Sequence, residues 1–107
     1  MNTLMRVIDH EPHAWFFFEK GGVFFLDANC NHSAFGYSYM IELSPEETEK
    51  YKRGGREYLG KLAYDIHYSA PIVKGSNSIY KGRDVSKEYS EESMLAIKLW
   101  REANAGA

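Results

Sequence analysis

The sequence predicts an α+β domain in which an antiparallel sheet of three to four N-terminal strands packs against two C-terminal helices. Three observations carry this prediction. Residues 4–43 hold short aromatic and β-branched runs, one of which alternates apolar with polar side chains. A capping sequence, Ser44-Pro45-Glu46-Glu47, then opens a helical pattern. Strands therefore precede helices instead of alternating with them, the segregation that distinguishes α+β from α/β folds.

Leu4–Asp9 is a short strand candidate. Ala14–Glu19 and Val23–Cys30 follow, joined through Lys20-Gly21-Gly22, where glycine supplies the positive φ of a tight hairpin turn. The Ala14–Glu19 strand is aromatic on both faces, with Trp15 and Phe17 on one and Phe16 and Phe18 on the other. A strand buried on both sides reads this way, and so does one whose outer face meets a partner. In the next strand Phe35, Tyr37, Tyr39, Ile41 and Leu43 face one way, and Gly36, Ser38 and Glu42 the other, with Met40 the exception.

At the first helix Ser44 is the cap, Pro45 suits the first helical position, and Glu47 can reach back to complete a capping box. The pattern continues through Tyr58, Leu59, Leu62, Ala63 and Ile66 and should stop near Ala70, before Pro71. Gly54-Gly55 interrupts it, either splitting the helix or allowing close packing on the sheet. Residues 71–89 read as loop, with Ile79-Tyr80-Lys81 a short edge strand. Ser90 is expected to cap a last helix from Glu91 to Ala103, whose core stripe is Leu95, Leu99 and Ala103, widened by Ala96 and Trp100.

The 107 residues suit one domain, assigned to residues 1–103 with a fraying tail at 104–107. A single cysteine, Cys30, cannot form an internal disulfide, and residues 1–14 do not resemble a signal peptide, so a cytoplasmic setting is expected. The longest apolar run, Ala14–Phe18, is too short to span a bilayer. The formal net charge of −2 excludes a uniformly basic coat for nucleic acid. Charge is unevenly distributed, however: residues 1–49 carry a net −6, residues 50–87 a net +6, and residues 88–107 a net −2.

Two regions carry candidate chemistry. His10, His13, Cys30 and His32 lie at one end of the Lys20–Gly22 hairpin. If Lys20-Gly21 is the turn, Glu11 opposes Cys30; if Gly21-Gly22 is the turn, His13 opposes Cys30 and Glu11 opposes His32. Either register gathers types that bind zinc, or places a histidine beside a thiol. The simpler reading makes Cys30 a small core residue in the stripe Phe24, Leu26, Ala28, Cys30. It leaves the histidines on the surface, with no metal or cofactor bound.

The second region is the basic middle, where Lys52-Arg53-Gly54-Gly55-Arg56 could hold a phosphate and where Tyr51, Tyr58, Tyr64, Tyr68 and Tyr80 lie among cations. It lacks the Walker A pattern, since Gly60-Lys61 is followed by Leu62. Tyr58 groups with the helical core stripe, whereas Tyr64 and Tyr68 fall on the opposite flank.

The reading that follows is a small non-catalytic protein-binding domain, of the regulatory, inhibitor or immunity-protein kind. It would act through a tyrosine-bearing, charge-polarised surface, with Trp15, Phe17, Tyr64 and Tyr68 as partner contacts and a homodimer through the outer sheet face. The alternative is anion or single-stranded nucleic-acid binding by residues 50–87 through Lys52, Arg53 and Arg56. A metal or cysteine site at the hairpin end is the third possibility.

Overall fold

The computed structural model describes residues 4–30, 37–69, 71 and 75–104. Strands β1 (Arg6–Glu11), β2 (Trp15–Lys20), β3 (Val23–Cys30) and β4 (Tyr37–Glu42) are followed by helices α1 (Pro45–Ser69) and α2 (Ser90–Asn104). The strands form one antiparallel sheet in the order β1-β2-β3-β4. The predicted α+β arrangement is the one observed, with four strands.

The helices take opposite faces of this sheet. Trp15, Phe17, Leu26, Ala28, Tyr39 and Ile41 pack beneath Leu59, Leu62, Ala63 and Ile66 of α1. Phe18, Phe25 and Met40 pack on the other side with Met5 and Ala96 of α2, and Phe16 and Ile97 join them at the margin. Strict alternation along β2 and β3 distributes the side chains between these two cores. Met40, the exception to the polar face of β4, belongs to the α2 core. Phe35 and Gly36 lie outside the described residues.

The β2–β3 turn is Gly21-Gly22, both at positive φ (58° and 86°), and Lys20 pairs with Val23. That is the second of the two registers considered. The helix α1 is broken at Gly55, where φ 61° and ψ −144° are accessible to glycine and to almost nothing else. The predicted capping box forms: Ser44 N–H donates to Glu47 Oε1 (2.8 Å) and Glu47 N–H to Ser44 Oγ (3.2 Å).

Three local expectations are corrected. Residues 79–81 form turns, not an edge strand: Ile79 is exposed, Tyr80 is buried, and the Tyr80 carbonyl accepts the Tyr39 hydroxyl at 2.8 Å. The free edge of β4 is met instead by residues 84–86, with Val85 N–H donating to the Met40 carbonyl and Met40 N–H to Ser86 Oγ. Ser90 is the first residue of α2, its hydroxyl turned toward the Met94 sulfur at 4.0 Å, so it does not cap the helix. Finally, α2 buries Ser93 and Ala96 against the sheet, while Leu95 and Leu99 remain 46% and 47% exposed. Small residues let this helix approach a face already crowded with phenylalanine, and the leucine stripe is displaced to its flank.

No helix among the described residues is long and apolar enough to cross a membrane.

Candidate functional site

The candidate contacts separate by element. Trp15 and Phe17 are core side chains, 5% and 0% exposed beneath α1. The opposite face of the same strand is covered by α2. Trp15 and Phe17 are therefore not on an exposed outer sheet face, and the doubly aromatic strand is explained by burial on both sides.

Tyr64 and Tyr68 are different. One helical turn apart on α1, they are 63% and 77% exposed, and their rings stack with centroids 5.9 Å apart at 18°. Tyr58 is partly buried against the α1 core, where burial, followed by the nearby Glu47 charge, pushes its hydroxyl up to about 12. The separation of Tyr58 from Tyr64 and Tyr68 follows the helical period.

A groove of about 530 Å³ runs beside Tyr64. One wall is α1, through Gly60, Ala63, Tyr64 and His67; the other is the β1–β2 turn and the end of β3, through Glu11, His13, Ala14 and Asn29. His13, at φ 65°, is the one non-glycine residue with positive φ among the described residues. Its carbonyl accepts Asn29 Nδ2–H at 2.9 Å, which ties the turn to β3. A second groove of about 220 Å³ shares this turn and continues onto the α2 side, past Phe16, Asp27 and Ser38.

Of the hairpin-end constellation, the described members His10 and His13 are directed apart. The chain reverses at Pro12–Ala14, and β1 pairs with the other edge of β2 instead of extending the β2–β3 ladder. His10 consequently stacks on Phe16 (4.4 Å) and meets Trp100 of α2 edge-on, while exposed His13 stands at the turn. His32 and the side chain of Cys30 lie outside what the structure describes. Among the described residues no three His, Cys, Asp or Glu side chains are grouped so as to hold a metal ion.

In the basic segment Lys50, Lys52, Arg56 and Arg83 are paired with acids. Arg56, which sequence spacing offered to a phosphate, donates to Glu11 Oε2 (2.9 Å), Asp9 Oδ2 (3.3 Å) and the His10 carbonyl (3.0 Å), and lies over the Trp15 ring. These carboxylates hold its guanidinium above the ordinary arginine value. Lys52 lies 3.9 Å from Glu49, with both side chains largely in solvent, and Arg53 is exposed. Arg83 grips both Glu47 oxygens, at 2.9 and 2.6 Å, and also donates to the Glu42 carbonyl.

Sequence reasoning missed Asp27. It sits within a strand pattern otherwise read as core, opposite Phe16 on β2 and Met40 on β4. Its Oδ1 is buried with no hydrogen-bond partner. Burial, and then the charge of Asp84, push this carboxyl up to about 6. The available signal was an acid two residues after Phe25 on the same side of β3.

No family model, curated protein or solved structure matches the chain.

Proposed function

We propose that this protein is a non-catalytic binding domain that recognises another protein through the tyrosine-bearing face of α1. The observation that carries this reading is the stacked, solvent-exposed pair Tyr64 and Tyr68, of which Tyr64 lines the 530 Å³ groove. Tyrosine presents a large, rigid contact area at low entropic cost, and its hydroxyl is satisfied by water until a partner arrives. The pair makes no contribution to the α1 core, so the fold does not account for two aromatic rings there. A regulatory, inhibitor or immunity-type role fits a contact surface of this kind.

The anion-binding alternative draws less support. Of its three cations, Arg56 is bound to two carboxylates and Lys52 has an acidic neighbour, so a phosphate would compete with existing ion pairs. The charge polarity of the sequence is likewise reduced on folding, because the basic helix leans on the acidic first strand.

The test is a quantitative pull-down from the native cell, comparing wild type with the Tyr64→Ala/Tyr68→Ala double variant. Both residues are exposed, so the fold should survive the change. The reading predicts a discrete set of proteins retained by wild type and depleted at least about tenfold by the variant, as expected for aromatic hot spots. Equal retention by both would overturn it.

A further inference from the structure

The groove on the α2 side is lined in part by Asp27, whose Oδ1 is buried without a hydrogen-bond partner among the described residues. Ionised, the carboxylate leaves this oxygen without a donor among the described residues. Native interiors rarely leave such a group unpaired, and those that do commonly await water or a ligand.

The rest of the lining indicates what would satisfy it. Asn29 donates its amide hydrogen to the His13 carbonyl, which leaves its side-chain oxygen as an acceptor. Glu11 binds Arg56 through Oε2 and retains its second oxygen. Ser38, exposed at the edge of β4, can accept as well as donate. Among the described residues, no lysine or arginine lines the groove. Phe16 supplies a flat apolar wall. An acceptor-rich cavity with an anionic floor and an aromatic side suits a group that only donates, carries positive charge and tolerates stacking. The volume, about 220 Å³, is that of a side-chain head with some water rather than an extended ligand.

We propose that this groove is a binding site for a guanidinium or primary ammonium group, with Asp27 as its anionic anchor. Asp27 would form a charge-assisted hydrogen bond to the bound cation, Asn29 and Ser38 would accept its remaining hydrogens, and Phe16 would face its plane. The cation could belong to a small free molecule or to an arginine or lysine side chain, and the experiment separates these sources. The site stands on residues other than Tyr64 and Tyr68, so its failure would leave the tyrosine face unaffected.

The experiment is a two-dimensional amide NMR titration of the full 15N-labelled chain in an amine-free buffer. Methylguanidinium chloride and n-propylammonium chloride are the probes, with N-methylurea and matched sodium chloride as neutral and ionic controls. N-acetyl-arginine methylamide tests entry by a side chain. Saturable shifts at Asp27, Asn29 and Ser38 are expected with the cations and not with the controls, weakened at least about tenfold in Asp27→Asn. Saturation by the arginine derivative as well would assign the site to a protein side chain; saturation by the small cations alone would assign it to a free amine or guanidine. The absence of saturable shifts with every cation, or equal binding by Asp27→Asn, would overturn the proposal.

Discussion

At Asp27 the raised carboxyl has a consequence for stability that can be measured. The folded chain holds a proton there up to about pH 6, above the ordinary aspartate value of 3.8. The group's contribution is therefore fully favourable below about pH 4 and is lost as pH rises through 6. Asp27→Asn should stabilise the protein by about 1–3 kcal/mol at pH 7.5 and change little at pH 3.5. Urea unfolding at the two pH values checks this, and an equal effect at both would contradict it. Backbone geometry sets a second contrast at this scale, between Gly55 and Gly60. A side chain at Gly55 meets no neighbour but inherits φ 61° and ψ −144°, so Gly55→Ala should cost about 1–3 kcal/mol. Gly60 has open space and lies within the helix, and Gly60→Ala should stabilise by about 0.5–1 kcal/mol. Thermal unfolding of both variants decides between strain and space as the reason for these glycines.

Among the elements, the start of α1 is the most interconnected. Glu47 closes the capping box with Ser44 and receives both arms of Arg83 from the segment before α2. Burial works against its charge, but the Arg83 and Ser44 hydrogen bonds outweigh burial and hold the carboxyl below the usual glutamate value. Arg83→Ala should cost about 2 kcal/mol at neutral pH by leaving a half-buried carboxylate short of donors. Because the folded value is depressed, this stabilisation exists above the ordinary glutamate range and disappears as pH falls through the folded value. The penalty should thus shrink in acid, opposite to the Asp27→Asn profile, and the same pair of urea titrations would show it. The capping box itself was legible because its determinants lie within four residues. The Arg83 clamp was not, since its partners are 36 residues apart and only the fold joins them. The failure at α2 has a similar origin. Leu95 and Leu99 are more hydrophobic than Ser93 and Ala96, but the spacing available above Phe18 and Phe25 favours the smaller side chains.

For the whole molecule, the order of strands and helices could be read locally, from alternation, turn glycines and the helix-opening motif. What local patterns could not assign was the sidedness. The doubly aromatic β2 was compatible with one covered face or two, and only the placement of α1 and α2 on opposite sides turns Trp15 and Phe17 into core residues. The same placement brings basic Arg56 onto acidic Asp9 and Glu11, so a charge separation evident along the chain becomes an internal contact. It also leaves Tyr64 and Tyr68 as exposed aromatic residues, Tyr64 beside a groove, as the helical period alone suggested for that flank. The central claim, that this flank of α1 is where the protein meets another, is tested most directly by site-specific photo-crosslinking in the native cell. Benzoylphenylalanine would replace Tyr68 in one chain and Met94, which is also exposed on α2, in another. The account predicts discrete crosslinked adducts from position 68 that are absent from position 94; adducts from 94 alone, or none from 68, would contradict it.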